Sequence, residues 1–159
     1  MTIKVGDMIP NVTLNYLKDG VQAINTDEIF KGKKVVLFSV PGAFTRTCTA
    51  KHLPGYVEKF SAFHDEGVDV ACIAVNDAFV MDAWAKNQHV PDGLWMLADG
   101  NATFTKALGL EMDGTAFGLG QRGKRFALYA EDGVVKQLHV EAPGEFKVSA
   151  AEAMLEALA

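Results

Sequence analysis

Short apolar runs separated by amphipathic stretches predict that strands and helices alternate along this chain. Three of these runs are continuously apolar, as in strands that a parallel sheet buries on both faces: Val35–Val40, Val68–Val75 and Leu94–Ala98. Two later runs, Arg125–Ala130 and Val134–Val140, flank Glu131-Asp132-Gly133. An Asp-Gly pair between two such runs predicts a β-hairpin, because both residues tolerate the positive φ of a tight hairpin turn.

Apolar residues at helical spacing fill the gaps between the strands. The predicted helices are Thr47–Glu66, Asp77–Gln88, Asn101–Leu108 and Ser149–Leu158. The predicted N-caps of the last three are Asn76 or Asp77, Asn101, and Ser149. Glu152 would complete a capping box with Ser149, Gly109 would end the third helix, and Pro54 would bend the first.

The predicted order is β-α-β-α-β-α-β-β-α, with parallel units first and a hairpin last. This order supplies helices for both faces of one sheet, and it favours an α/β protein with a thioredoxin-like fold, a central mixed β-sheet flanked by helices. The chain has 159 residues and neither a repeat nor a linker, so a single domain is expected over residues 1–159.

Composition and charge narrow the function classes. Hydrophobic residues make up 49% and charged residues 22%, as in soluble globular proteins. The net charge of −5 argues against broad binding to nucleic acid or anionic membranes, which need a basic face. No apolar run approaches the roughly 20 residues that cross a bilayer, and Met1–Pro10 lacks the apolar core of a secretory signal. The two cysteines form neither a disulfide framework nor a zinc cluster, so we expect a cytoplasmic protein.

The segment that ends at Cys48 holds the strongest candidate for chemistry. A buried strand ends at Val40, Pro41 and Gly42 turn the chain, and a helix starts near Cys48, at the strand end where open α/β sheets bind ligands. A helix N-terminus stabilises a thiolate by only about 0.3–1 kcal/mol, too little to ionise most of a cysteine at neutral pH. A reactive thiol therefore requires a facing cation, and the candidates are Arg46, Arg122 and Arg125. The alternative is a buried, inert thiol.

Cys72 lies in the middle of a run that is apolar on both faces, where a cysteine usually packs as a small hydrophobic side chain. The alternative is that Cys72 resolves an oxidised Cys48. That role would require an adjacent strand and local unwinding of the helix that follows Cys48.

Other motifs lack the context that their chemistry needs. Gly118–Gly123 has dinucleotide-binding spacing, but a strand follows it instead of a helix. Thr45 and Lys51 stand three residues from Cys48, so the chain has no Cys-x-x-Cys dithiol. The four histidines lack metal-ligand spacing, and no metal site is expected; only His52 lies one helical turn from Cys48.

The segment Val40–Gly55 reads VPGAFTRTCTAKHLPG and strongly resembles the peroxidatic-cysteine signature of the peroxiredoxins. Its full length is similar to the type II, or peroxiredoxin-5-like, branch. The similarity continues in consistent order from about Ile3 to the end of the chain. It includes the segments Val75–Val80, Leu97–Gly100 and Arg122–Leu128.

This resemblance implies an enzyme, a thiol-dependent peroxidase that reduces hydrogen peroxide and alkyl hydroperoxides without a cofactor. By position, Cys48 would be the nucleophile that becomes a sulfenic acid, and Thr45 would hydrogen-bond the peroxide and the thiolate. Pro41 would shield the site from water. Arg125 would hold the thiolate and stabilise charge that moves onto the peroxide oxygens, while Arg122 would support the structure.

The chain also departs from the resemblance. Many relatives have proline where this chain has Arg46. An arginine at this position would alter the approach of the reducing partner or the packing of the first helical turn, but not the reaction type. The late resolving cysteine of some relatives has no counterpart after Cys72. We therefore expect an external thiol, glutathione with glutaredoxin, with thioredoxin as the alternative. The resemblance further implies a homodimer, with these candidate interface residues: Phe44, Phe117 and Leu119.

Two other functions are compatible with the residues. A non-enzymatic redox sensor or partner-binding module with the same fold would use oxidation of Cys48 as a signal, and would be oxidised once without recycling. A Cys–His acyl transferase would turn over esters without peroxide, and it requires a histidine at Cys48.

Overall fold

Strands and helices alternate across residues 2–159, the part of the chain that the computed structural model describes. The strands are β1 (Thr13–Leu17), β2 (Val21–Asn25), β3 (Lys34–Ser39), β4 (Val68–Ala74), β5 (Trp95–Ala98), β6 (Glu111–Asp113), β7 (Gln121–Gly123), β8 (Phe126–Glu131) and β9 (Val134–Val140). The helices are α1 (Thr26–Phe30), α2 (Leu53–Asp65), α3 (Ala78–Asn87), α4 (Thr103–Leu108) and α5 (Ala151–Leu158). A π turn, Cys48–His52, immediately precedes α2, and a 3₁₀ turn, Thr115–Phe117, separates β6 from β7.

A seven-stranded mixed sheet has the order β2-β1-β5-β4-β3-β8-β9. Strands β3, β4 and β5 are parallel, whereas β8 runs antiparallel to β3 and β9, and β1 runs antiparallel to β2 and β5. Asp132 and Gly133 connect β8 to β9 with positive φ angles of 49° and 79°. The three predicted parallel runs, the Asp-Gly hairpin and the mixed sheet are therefore confirmed.

Side-chain alternation along β3 divides the core between the two faces of the sheet. Phe38 faces a cluster formed with α2, α3 and α5, and this cluster also contains Cys48 and Cys72. Its neighbour Leu37 faces the opposite cluster, which includes α1 and α4. Helices therefore cover both faces of the sheet, as predicted, and both cysteines lie on the same side.

Two predicted helix ends are confirmed. The Asp77 carboxylate accepts a 2.8 Å hydrogen bond from the Val80 N–H and caps α3. Gly109 follows α4 with a φ of 72°, a left-handed conformation that ends a helix at little cost for glycine. Within residues 2–159, no helix has both the length and the apolar character needed to span a membrane.

Two other predicted caps are wrong. Ala102, not Asn101, precedes α4, and the buried carboxylate of Asp99 accepts hydrogen bonds from backbone N–H groups of the first turn instead. The N-cap of α5 is Ala150, with no side-chain hydrogen bond, so Ser149 forms no capping box. The Ser149 carbonyl instead makes hydrogen bonds with His52 and Tyr56, which are distant in the sequence.

The hairpins β1–β2 and β6–β7 and the short helix α1 were not predicted. Asp19 and Gly20 turn the first hairpin with φ angles of 53° and 99°, the same Asp-Gly device as in the later hairpin. The residues of β1 and β2 are mostly exposed or half-buried, so neither strand has the continuous apolar character of a central strand.

Candidate active site

Cys48 lies where the chain leaves the carboxyl end of β3 and enters a helix. After Ser39, a turn through Pro41 and Gly42 leads to helical backbone from Arg46, and Cys48 begins the π turn. The Cys48 side chain is 0% exposed. Its predicted place, at the start of a helix and beyond the end of a parallel strand, is confirmed.

The π turn replaces the first turns of the regular helix that the sequence predicts. The Leu53 N–H donates to the Cys48 carbonyl, five residues back, which widens the turn. The next residue is Pro54, which has no N–H to donate and whose ring crowds the preceding turn. The bend predicted at Pro54 thus takes the form of a widened turn that contains both Cys48 and His52, each fully buried.

Arg125 is the arginine that the fold brings to the cysteine. Its Nη2 lies 3.2 Å from Cys48 Sγ and donates a hydrogen bond to it. The register of β3 and β8 pairs Ser39 with Phe126, so Arg125 lies just beyond the last pair, at the edge where Cys48 follows β3. Arg46, another of the three candidates, is exposed.

His52 holds the other side of the Arg125 guanidinium. Its Nδ1 lies 2.8 Å from Arg125 Nη1, and because arginine only donates, Nδ1 is the acceptor. The proton therefore resides on Nε2, which donates to the Ser149 carbonyl at 3.1 Å. Burial, and then the charge of Arg125, lowers the pKa of His52 from 6.5 to about 3, so the ring is neutral. Both ring nitrogens are occupied away from Cys48, so the geometry gives no support to a Cys–His acyl transferase.

The loop between β9 and α5 completes the surroundings of Arg125. The Phe146 ring lies 5.9 Å from Arg125 Cζ and 5.0 Å from the His52 ring. The Ser149 carbonyl also accepts a 2.7 Å hydrogen bond from the Tyr56 hydroxyl. Glu141, at the start of the loop, accepts hydrogen bonds from later loop residues.

Thr45 and Pro41 line the turn that precedes Cys48. The Thr45 hydroxyl donates a 2.6 Å hydrogen bond to the Gly42 carbonyl, so its proton is engaged there and its oxygen can act as an acceptor. Pro41 is half-buried in the turn after β3. The turn therefore presents a hydroxyl oxygen and an apolar ring next to the cysteine segment.

Arg122 ties the β6–β7 hairpin to this turn. Its Nε donates to the Leu119 carbonyl at 2.9 Å, and its Nη1 donates to the Pro41 carbonyl at 3.4 Å. A Cβ on Gly42 would lie 2.9 Å from Arg122 Nη1, so only glycine permits this approach without a shift. These contacts are in keeping with the supporting role expected of Arg122.

Cys72 occupies the middle of β4, between Phe38 of β3 and Met96 of β5. It is completely buried. Burial, followed by the proximity of Cys48, raises the pKa of Cys72 well above its ordinary value, and no hydrogen bond opposes that rise. The packing interpretation of this residue agrees with its surroundings.

Sequence reasoning does not predict the roles of Glu141, Phe146 and Ser149. Glu141 and Phe146 belong to no recognisable motif, and Ser149 resembled a helix cap. Among residues 2–159, no group of three or more histidine, cysteine, aspartate or glutamate side chains has the arrangement of a metal site.

The sequence and the fold are both similar to those of proteins named as peroxiredoxins. Residues 4–155 match the model of the Redoxin family. The chain is 51% identical to Peroxiredoxin-2E-2, chloroplastic, of Oryza sativa subsp. japonica, over 99% of this chain and 73% of the relative. It is 45% identical to Peroxiredoxin-2B of Arabidopsis thaliana over 98% of both chains. Reduced Prx3 of Vibrio vulnificus in complex with H₂O₂ superposes with a TM-score of 0.95 at 51% identity, over 99% of this chain and 100% of the other.

Proposed function

This chain belongs to the redoxin family, in the type II branch of the peroxiredoxins, and we propose from that premise that Cys48 is the thiol that peroxide oxidises. The fold is thioredoxin-like, and the protein is a thiol-dependent peroxidase, an enzyme that reduces hydroperoxides with electrons from thiols. One observation carries the proposal for Cys48: its buried sulfur accepts a 3.2 Å hydrogen bond from the Arg125 guanidinium.

The reaction is a displacement at oxygen. The Cys48 thiolate attacks the terminal oxygen of the hydroperoxide, a sulfur–oxygen bond forms, and the oxygen–oxygen bond breaks. Sulfur is oxidised to the sulfenic acid, and the peroxide is reduced to water or an alcohol. The leaving oxygen departs as hydroxide or alkoxide and gains one proton, which balances the proton that the thiol lost when it became a thiolate.

Arg125, Thr45 and Pro41 assist this displacement in different ways. The Arg125 guanidinium stabilises the thiolate and then the negative charge that moves onto the peroxide oxygens. The Thr45 oxygen accepts the peroxide O–H, since its own proton is donated to Gly42. This contact aligns the peroxide for in-line attack, and Pro41 limits the access of water.

We propose that an external thiol, glutathione with glutaredoxin, reduces the sulfenic acid. Cys72 is a poor candidate for this step, because burial raises the pKa of its thiol and leaves it protonated. Cys48 is itself fully buried, so its reduction requires local opening of the π turn. Thioredoxin is the alternative reductant.

Intact-mass spectrometry of the reduced protein after one equivalent of hydrogen peroxide tests the proposal, with and without glutathione and followed by peptide mapping. We expect a sulfenic acid on Cys48 that glutathione converts into a mixed disulfide. A crosslink between Cys48 and Cys72 would move the resolving step inside the chain. An unmodified Cys48 after several seconds would overturn the assignment of the nucleophile. Turnover assays with glutaredoxin and with thioredoxin separate the two external reductants.

We further propose a homodimer formed through the loops beside the active site. Phe44 is 52% exposed despite its size and has a φ of 63°, a strained conformation for a side chain with a Cβ. Phe117 is 85% exposed, on the hairpin that Arg122 ties to the active-site turn. Sedimentation should give a dimer for the wild type, and Phe117→Glu should shift it toward monomer; an unchanged distribution would exclude this surface.

The cytoplasm is the compartment that we propose. Cys48 and Cys72 are free thiols, which supports a reducing compartment. Cell fractionation tests the proposal, because a protein found in an organelle, as the chloroplastic name of the Oryza relative indicates for that protein, would correct it.

A further inference from the structure

The C-terminal loop, defined as residues 141–149 between β9 and α5, packs against the arginine that contacts Cys48. The Glu141 N–H donates to the Arg125 carbonyl at 3.0 Å, which fixes the start of the loop beside the backbone of Arg125. Five residues later, the Phe146 ring covers both the Arg125 guanidinium, 5.9 Å away, and the His52 ring, 5.0 Å away. The loop therefore touches Arg125, which contacts the sulfur, and His52, which holds the other side of the Arg125 guanidinium.

The Ser149 carbonyl determines how His52 faces Arg125. It accepts from His52 Nε2 at 3.1 Å and from the Tyr56 hydroxyl at 2.7 Å. A neutral imidazole carries one proton, so holding that proton on Nε2 leaves Nδ1 free to accept from Arg125 Nη1. A displaced Ser149 carbonyl would free His52 to change tautomer or rotate, and Arg125 would lose its second anchor.

Glu141 holds the loop in this conformation. Its Oε2 accepts three hydrogen bonds, from the Lys147 N–H at 2.8 Å, the Ser149 N–H at 2.8 Å and the Ser149 hydroxyl at 2.6 Å. Glu141 is 8% exposed. Burial by itself would raise the pKa of Glu141, but the hydrogen bonds from the Ser149 hydroxyl and the nearby backbone amides lower that pKa by more than burial raises it. The pKa of Glu141 therefore lies below its ordinary value, and the carboxylate is charged at neutral pH. Bonds to an ionised acceptor are about twice as strong as neutral ones.

The rest of the loop has few anchors of its own. Residues 142–145, 147 and 148 are exposed, so little apolar burial holds the segment. His139 Nδ1 provides one further tie, a 2.7 Å hydrogen bond to the Val148 carbonyl. Loss of the Glu141 carboxylate would therefore loosen Phe146 and Ser149 together.

We propose that Glu141 is a positioning residue for the peroxidase reaction: by closing the C-terminal loop it orients the Ser149 carbonyl and the Phe146 ring, and through them the His52–Arg125 pair that holds Cys48. Glu141 touches neither the sulfur nor the peroxide. The inference rests on the proposed roles of Cys48 and Arg125.

Single-turnover oxidation by hydrogen peroxide measures this effect. The fluorescence of Trp84 is a suitable signal, because its Nε1 donates to the Thr49 hydroxyl at 3.1 Å, next to Cys48. Glu141→Ala should slow oxidation about tenfold, within the roughly hundredfold that a misplaced group costs. Glu141→Gln keeps an acceptor oxygen in nearly the same shape and should retain most of the rate.

Glu145→Ala is the matched control, because it removes one carboxylate from the same loop. Glu145 is exposed, and its only ion pair among the described residues is with the exposed Lys147 at 3.7 Å. The control should oxidise at the wild-type rate. An equal slowing in Glu141→Ala and Glu145→Ala would indicate a general loss of negative charge and would overturn the proposal.

A double-mutant cycle with Arg125→Gln distinguishes positioning from general loosening. If Glu141 acts through Arg125, Glu141→Ala should have less than about a twofold effect once Arg125 is absent. The same tenfold slowing in both backgrounds would overturn the proposal and leave the role of Arg125 intact. A wild-type rate in Arg125→Gln alone would instead contradict the proposed catalytic role of Arg125.

Phe146→Leu keeps the test decisive if Glu141→Ala fails to fold. It removes the aromatic face over Arg125 and leaves Glu141 in place. Slower oxidation that disappears in the Arg125→Gln background would support positioning by the loop. A wild-type rate in a folded Phe146→Leu protein would overturn it.

Discussion

Cys48 and Cys72 are equally buried and belong to the same core cluster, yet within residues 2–159 only Cys48 has a hydrogen-bond donor at its sulfur. Cys48 lies beyond the end of β3, with Arg125 Nη2 3.2 Å from its sulfur. Cys72 lies inside β4, between the backbones of two neighbouring strands. Burial raises the pKa of the Cys72 thiol, and no donor compensates for it.

Position along a strand explains the difference. Cys72 lies in the middle of β4, where the backbone pairs with both neighbouring strands and the side chain packs in the apolar core. Beyond the strand end, the chain turns and another segment can bring in a charged group. Burial alone therefore does not distinguish the two thiols, and the hydrogen bond from Arg125 is what supports Cys48 as the proposed nucleophile.

Removal of each thiol tests the comparison with the largest expected effect. Cys48→Ser should lower peroxidase turnover at least a thousandfold, because the hydroxyl is a far weaker nucleophile than a thiolate. Steady-state peroxide consumption with a thiol reductant measures it. Cys72→Ser is the matched control and should keep most of the turnover. Near-normal activity in Cys48→Ser would exclude the mechanism.

Removal of Arg125 should leave Cys48, like Cys72, as a buried thiol without a hydrogen-bond donor. Arg125→Gln should slow oxidation by hydrogen peroxide about 10²–10³-fold, the usual effect of losing one preorganised donor at a site of developing charge. Stopped-flow oxidation measures the rate, with Arg46→Gln as a control that removes an exposed arginine two residues before Cys48. Equal rates in the two variants would mean that another group holds the thiolate.

Acid should lower the free energy of unfolding, because His52 beside Arg125 is buried in its neutral form. The folded pKa of His52 is about 3 and the ordinary value is 6.5, so between these values the unfolded chain holds a proton that the folded chain does not. Stability therefore falls as the pH drops below 6.5, by on the order of 2 kcal/mol at pH 5. Urea unfolding between pH 7 and pH 5 checks this, and His52→Gln should show a smaller decline. A wild-type decline in His52→Gln would assign the acid sensitivity to other groups.

Truncation of Cys72 should have the smallest effect. Cys72→Ala removes one buried sulfur and should cost about 1 kcal/mol of unfolding free energy, as small deletions in a core do. Denaturant unfolding gives the cost, and peroxide consumption should stay close to the wild type. Loss of turnover, with Cys48 trapped as a sulfenic acid, would show that Cys72 is the resolving thiol.

The sequence predicts the buried strands of the fold better than the exposed ones. The continuous apolar runs of β3 and β4, and the Asp-Gly turn of β8–β9, were sufficient to predict those strands and their order. The Asp-Gly pair at Asp19-Gly20 does not by itself predict a hairpin, because the flanking strands are exposed or half-buried and lack a clear apolar pattern. Caps were predicted where the partner is three residues away, as for Asp77, and failed where a more distant carboxylate, Asp99, took over.

The sequence by itself determined the strand that ends before Cys48, the helix that begins there, and the resemblance that predicts a peroxidase, because periodicity, turns and motifs are properties of neighbouring residues. Only the tertiary structure decided how Arg125 reaches the sulfur, which nitrogen of His52 carries the proton, and that Glu141 closes the loop over them. The contacts of Cys48 with Arg125 and of His52 with Ser149 join residues 77 and 97 positions apart. Such pairs are set by the register of β3 with β8 and by the packing of the last loop, neither of which local patterns specify.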